Sequence, residues 1–310
     1  MSATTKYGLI GAGMMGQEHI RNIALLDNTN IAAIFEPDAA MRAAAAEFAA
    51  NAVFTGSVDE LLAMTDLSCL VITSPNYLHV AQLEQIAAKR TLPILLEKLL
   101  YTTPDDAKRI AALRDSYDAP IWVAKEYHCM PPVAELVKQA GDVTGGAKMP
   151  IIREDRFPFL EEVCDWNRLN EKSGGTLGVK CCHFFDLVRL ILKSDPVRIM
   201  ASGGQAVNHL DEVYDGKKSE IWDNSYVIVD FASGARHVGT VHVSRGRSLS
   251  GGNQRRRAQG QDRMSGSRTG PVLACPSGRA ASGAVDRQPA RSQGTGGTGH
   301  SGRPDPSGRQ

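Results

Sequence analysis

The stretch "KYGLIGAGMMGQEHIRNIALL" (6–26) constrains this chain more than any other. A short apolar strand runs into a glycine-rich turn, and the residues beyond it have helical periodicity. Gly11, Gly13 and Gly16 stand at G-x-G-x-x-G spacing, with Met14 and Met15 in the same turn. At a strand-to-helix junction the first glycine permits the tight turn. The second lets a pyrophosphate approach the backbone at the positive helix end, and the third lets the helix pack closely on the strand. A second strand, "NIAAIFE", ends at Glu36, where a carboxylate can accept bonds from an adenosine ribose. Together these features point to a dinucleotide. Glu36 would repel a 2′-phosphate and no Arg or Lys follows before Arg42, so NAD is favoured over NADP.

The pattern continues as alternating strands and helices. "DAAMRAAAAEFAA" is an Ala-rich helix with Asp38 as its N-cap. Strands are expected at 69–73, 93–97 and 121–124, with helices near 76–89 and 103–116 between them. Thr103 can cap the last helix, Pro104 suits its first position, and Asp105 and Asp106 suit its positive end. Such alternation predicts an α/β fold, a Rossmann doubly wound parallel sheet over residues 1–124. These sheets bind ligands beyond the C-terminal ends of their strands. Ser74, Pro75, Asn76 and His79 of "TSPNYLHV" and Glu97 of "LEKLL" are therefore candidate cofactor contacts, and Lys98 would project beside the nicotinamide. Without that frame Lys98 reads as a solvated lysine and His79 as a capping or packing residue.

With 310 residues, 42% hydrophobic and 22% charged, the chain can hold one large or two ordinary domains. The N-terminus lacks the basic and apolar regions of a signal peptide, and no apolar run approaches membrane-spanning length. A cytoplasmic protein without a membrane partner is expected. Six cysteines (Cys69, Cys129, Cys164, Cys181, Cys182, Cys275) at irregular spacing, with no CxxC, fit reduced thiols.

The net charge of +1 hides a division. Residues 245–310 carry 12 Arg against 3 Asp, with no Lys or Glu, a surplus of nine positive charges that leaves residues 1–244 at −8. This segment has no Ile, Phe, Tyr or Trp, so it cannot bury enough apolar area to offset its ordering entropy and is expected to be a disordered basic tail. The lack of aromatic stacking residues argues against nucleic-acid binding. Its composition matches a GC-rich coding sequence read out of frame, and it interrupts a strand pattern abruptly near Ser244.

From "GLIGAGMMGQEH" through "SPNYLH" and "EKLL" to "GGTLGVKCCHFFD" and "NSYVIVDF", the chain resembles the Gfo/Idh/MocA oxidoreductases. The segments "MPPVAELV", "REDRFPFL", "DWNR" and "KCCHFFDLVRLI" most resemble the branch concerned with breakdown of rhizopine, an amino-inositol. The resemblance implies a second, α+β domain built on an open, mostly antiparallel sheet whose outer face often forms homo-oligomers. Residues 125–244 allow this: a helix at "PPVAELVKQA", a strand at "IIREDRF", a polar loop to Gly175, a helix, then strands near 197–206, 225–231 and 236–243, the last two joined at Ser233 and Gly234.

The segment "LGVKCCHFFDLVRL" (177–190) reads as one helix bearing Cys181, Cys182, His183 and Asp186. Consecutive helical residues point about 100° apart and no further Cys/His pair completes four ligands, so no metal is expected. His183 is either a base or a core histidine. The resemblance implies the former: Lys98 and His183 match the lysine and histidine that flank the substrate carbon under the nicotinamide. An unperturbed histidine pKa near 6.5 suits that task. Asp165, Asn167 and Arg168 of "DWNR" are candidates for binding substrate hydroxyls, or a plain polar loop. Two positions depart from the family: Val179 replaces the acidic residue four before His183, and Leu99 replaces the proline after Lys98. The activity implied is hydride transfer between NAD and a secondary alcohol of a cyclic polyol or amino-inositol. The alternative is a nucleotide-binding sensor of the same fold without turnover.

Overall fold

Apolar runs become the inner strands of a parallel sheet in the computed structural model, which describes residues 4–156, 158, 159, 163–214 and 216–243. The tail expected at 245–310 lies outside the described residues. Strands β1 (Thr5–Ile10), β2 (Thr29–Phe35), β3 (Val53–Thr55), β4 (Cys69–Ile72), β5 (Ile94–Leu96) and β6 (Ile121–Val123) lie in the order β3-β2-β1-β4-β5-β6, all parallel. Helices α1 (Met14–Ile23), α2 (Ala39–Ala46), α3 (Val58–Ala63), α4 (His79–Ala87) and α5 (Pro104–Arg114) make the crossovers. Successive strand residues face opposite sides, and both sides are covered. Leu9 and Val71 pack with Ile20 and Ile23 on one face, Ile10 and Ile72 with Leu61, Leu83 and Ile86 on the other. Burial on both faces is why these strands read as continuous apolar runs.

The expected caps are present: Asp38 Oδ1 accepts from the Met41 N–H at 2.8 Å, and Thr103 Oγ1 from the Asp106 N–H at 3.2 Å. Strand β3 and helix α3 were not anticipated; three and six residues are too short to show a period. A reciprocal cap nevertheless marks α3, with Ser57 Oγ accepting from the Glu60 N–H and Glu60 Oε2 from the Gly56 N–H.

A 3₁₀ turn (Glu126–Cys129) leads into α6 (Pro131–Thr144) and β7 (Ile151–Arg156). The segment expected to be a polar loop contains another 3₁₀ turn (Val163–Arg168) and the short helix α7 (Asn170–Ser173). The single helix expected at 177–190 is instead two, α8 (Gly175–Val179) and α9 (Cys182–Leu192). Between them Lys180 has φ −108°, outside the helical range. Its apolar pattern runs through the break, so periodicity alone does not reveal it.

Strands β8 (Pro196–Gly204), β9 (Val213–Tyr214), β10 (Lys217–Lys218), β11 (Asn224–Phe231) and β12 (Arg236–Val243) complete the fold. A four-stranded sheet has the order β7-β12-β11-β8, antiparallel except for the parallel pair β7–β12, while β9 and β10 pair separately. Its inner face, with Val227, Val229 and Phe231, packs beneath Leu177, Phe185 and Val188 of α8 and α9. On the outer face one row crosses all four strands: Ile151, Val238, Ile228 and Met200, none of them buried. Among the described residues no helix is long and apolar enough to cross a membrane.

Candidate functional site

The glycine-rich turn sits where the strand order reverses between β1 and β4, the place at which such sheets bind ligands. A Cβ at Gly11, whose φ is +92°, would stand 2.8 Å from the Ser74 nitrogen, and one at Gly16 would stand 2.5 Å from the Gly11 carbonyl oxygen. Both glycines are demanded by the packing of β1, α1 and the loop after β4. Gly13 is different: the nearest atom to a Cβ there is Met41 Sδ at 3.6 Å. The protein's own packing therefore leaves room at Gly13 for an external group to reach the backbone. No side chain caps α1, and Met14 and Met15 at its start are exposed. These residues fit a bound pyrophosphate.

Glu36 is buried at the end of β2 and ties the turn together. Its Oε2 accepts from the Ala12 N–H at 2.6 Å and its Oε1 from the Asp38 N–H at 2.8 Å. Each oxygen retains capacity for a ribose hydroxyl. Arg42, set aside in the sequence as too far along the chain, lies against Glu36: its Nε and Nη2 donate to the Glu36 carbonyl at 3.1 and 2.8 Å.

Beyond β4 and β5 the candidate cofactor residues bond largely to other groups of the protein. Ser74 Oγ donates to Gln82 at 2.5 Å, and Asn76 Nδ2 donates to the Ser173 carbonyl at 3.1 Å, which fastens the loop after Pro75 to α7. His79 is fully buried, with the Leu99 carbonyl 2.6 Å from Nδ1 and the Ser74 carbonyl 2.9 Å from Nε2. Burial pushes its pKa down, against the pull of both carbonyls toward the charged ring. Glu97 pairs at 2.8 Å with His19 of α1, a residue whose role the sequence analysis did not assign. Burial alone would push the Glu97 carboxyl up, but His19 and Lys98 hold it below the usual carboxylate range. The Lys98–Leu99 peptide is cis. Leu99 Cδ2 lies 3.0 Å from the place a Cβ at Gly178 would take, so the departure at 99 rests against the glycine preceding the departure at 179.

His183, in the first turn of α9, is only 5% exposed. Its pKa is lowered to about 4, first by burial, then by the charges of Lys98 and Lys125, with Glu97 opposing and Lys180 adding. The ordinary value assumed from the sequence therefore does not hold, because burial and a cluster of lysines both disfavour the imidazolium. The Lys98 charge reaches the ring from the loop after β5. Lys125 was missed, since nothing in its local sequence marks it. The following turn grips the same helix: Tyr127 stacks on His183 with centroids 4.7 Å apart at 14°, His128 pairs with Asp186, and Glu126 Oε2 lies 3.5 Å from His183 Nδ1. Val179 is buried.

The candidate substrate residues of "DWNR" divide. Arg168 is buried, donating to Asn167 Oδ1 at 2.7 Å, to Glu212 at 3.3 Å and to the Phe159 carbonyl at 3.2 Å. Asn167 is buried beside it, while Asp165 is half-buried with φ +42°. Trp166 lies 6.4 Å from the Tyr77 ring, so this turn packs against the loop after β4.

Two family models match. Residues 5–125 match the oxidoreductase family with an NAD-binding Rossmann fold, and residues 154–261 match the GFO/IDH/MocA C-terminal domain, a match that runs past Ser244. The chain is 28% identical over 192 residues to the rhizopine catabolism protein MocA of Rhizobium meliloti, covering 62% of this chain and 58% of that protein. It is 36% identical over 121 residues to the inositol 2-dehydrogenase of Corynebacterium glutamicum (strain R), covering 39% of this chain and 36% of that one. The chain thus spans well under two thirds of either relative. Its fold superposes with a TM-score of 0.62 on the myo-inositol dehydrogenase of Lactobacillus casei, solved with NAD(H) and myo-inositol, at 20% identity, covering 77% of this chain and 68% of that one. With both halves matched, the chain belongs to the Gfo/Idh/MocA family of NAD-binding oxidoreductases.

Proposed function

We propose that this chain is an NAD-dependent dehydrogenase acting on a secondary alcohol of a cyclic polyol or amino-inositol, with residues 1–124 serving the cofactor and 125–244 the substrate. The observation that carries the reading is His183, buried at the head of α9 and held neutral by that burial and by the charge of Lys98 from the C-terminal edge of the parallel sheet. Similarity to MocA and to inositol dehydrogenases supports the substrate class.

Gly11, Gly13, Met14, Met15 and Gly16 would hold the pyrophosphate and Glu36 the ribose, with Ser74, Pro75, Asn76, His79 and Glu97 shaping the nicotinamide end. Bound NAD would supply the acceptor for the hydride of the carbinol carbon. His183 then takes the hydroxyl proton as the carbonyl forms, and Lys98 donates a hydrogen bond to that oxygen. Asp165, Asn167 and Arg168 would shape the substrate side, Asp165 being the most open of them. The apolar row on the outer face of the second sheet would receive another copy of the chain.

Val179 and the depressed His183 pKa favour a second reading, a nucleotide-binding sensor without turnover. Reduction of NAD with a panel of inositols decides: absorbance growth with any of them supports the dehydrogenase, whereas NAD binding without reduction supports the sensor.

A further inference from the structure

We infer that Glu126 is the positioning carboxylate of His183, supplying from the 3₁₀ turn before α6 the acid that position 179 lacks. The inference rests on reading His183 as the proton acceptor. Its basis is a buried ring nitrogen with nothing to bond to. Among the described residues His183 Nδ1 is solvent-inaccessible with no hydrogen-bond partner, and the acidic oxygen within ion-pair reach is Glu126 Oε2 at 3.5 Å. That gap is too long for a hydrogen bond but within ion-pair reach, and a small movement of the exposed Glu126 side chain closes it.

The surroundings decide what Glu126 can do. Facing His183 are Lys98 and Glu97 from the loop after β5, Lys125 and Glu126 from the 3₁₀ turn, and Lys180 from the break between α8 and α9. Glu97 is already bonded to His19. Glu126 has no other ion pair among the described residues, and its side chain is 57% exposed, free to swing toward the ring. Tyr127 stacked on the imidazole and His128 paired with Asp186 fix the turn that carries it. With the proton held on Nδ1 toward Glu126, Nε2 is the accepting nitrogen. An imidazolium formed there would otherwise face three lysines.

The test uses the full chain with ¹⁵N-labelled histidine, the His183 resonances being assigned from their absence in His183→Gln. In the unmodified protein without ligand, His183 should show a single Nδ1–H tautomer. In Glu126→Ala it should become a tautomer mixture with a lower pKa, while Glu126→Gln, which still offers an acceptor, should keep the tautomer and lower only the pKa. Because Glu126 is exposed, neither substitution threatens the fold. With NAD and myo-inositol, Glu126→Ala should lower kcat about tenfold while leaving KM within twofold, a smaller loss than that of the proton acceptor itself because Glu126 acts through His183. Identical tautomer and pKa of His183 in the unmodified and Glu126→Ala proteins would overturn the inference. If the unmodified chain does not turn over myo-inositol, the tautomer result still decides the Glu126 pairing, and only the dehydrogenase reading is in question.

Discussion

The two sheets bury their residues by different means. In β4, Leu70, Val71 and Ile72 are all 0% exposed, because helices cover both faces of the parallel sheet. In β8, Val197 and Ile199 remain 66% and 63% exposed, although they point to the same side as the residues of β11 that lie under α9. The first sheet makes its ligand cradle from its own strand ends. Residues of the second acquire their roles from partners far along the chain: Glu126 at His183, Leu99 at Gly178, Ser173 at Asn76. One half carries its function locally, the other by assembly.

The strongest way to break that comparison is at His183. His183→Ala should lower kcat by roughly a hundredfold to ten-thousandfold in steady-state NAD reduction, with NAD affinity unchanged in a fluorescence titration. Unchanged turnover would make His183 core packing and confine the chemistry to the first half.

Acid provides the next test. A histidine whose folded pKa lies below its unfolded value contributes stability that is complete above about pH 6.5 and lost as pH falls through the folded pKa. For His183, falling from 6.5 to about 4, the loss is on the order of 3 kcal/mol. His79 and His237, both lowered by burial, act in the same direction. Urea unfolding at pH 7 and pH 4 should show the loss, and His183→Leu should reduce it. An equal loss in the variant would place the acid sensitivity elsewhere.

A subtler effect concerns the cofactor cradle. Glu36→Ser should narrow the preference for NAD over NADP by about tenfold, roughly 1.4 kcal/mol, because the anion is gone and the Arg42 guanidinium already stands beside the site. Equal cofactor affinities in the unmodified chain would contradict this.

The smallest expected effect lies across the two halves. Gly178→Ala should cost about 1 kcal/mol in the unmodified chain and less in Leu99→Ala, since the added Cβ meets only Leu99 Cδ2. A double-mutant cycle by denaturant unfolding measures the coupling, and strict additivity would show that the two sites do not touch.

These contrasts explain what the sequence could reveal. Gly11, Gly13, Gly16 and Glu36 were legible because a dinucleotide imposes fixed spacing on one strand-turn-helix unit. Asp38 and Thr103 were legible because a cap lies three residues from the amide it serves. Lys98 was placed at the site by its position at a strand end, but its pairing with His183, and the role of His183 itself, came from resemblance. Glu126, Lys125, His19 and the internal bonding of Arg168 were hidden, since each depends on a neighbour brought close only by the fold. The break at Lys180 was hidden because side-chain periodicity carries no record of a local change in φ.

Leu99 resting on Gly178 has a consequence for how the chain can change over generations. A leucine at 99 is accommodated while 178 is glycine, and a larger residue at 178 is tolerated once 99 has been trimmed. A larger residue arriving at 178 first would meet the leucine methyl. Replacement at these two positions is therefore a path with a preferred order, and the history of the lysine loop is bound to that of α8 at a van der Waals contact.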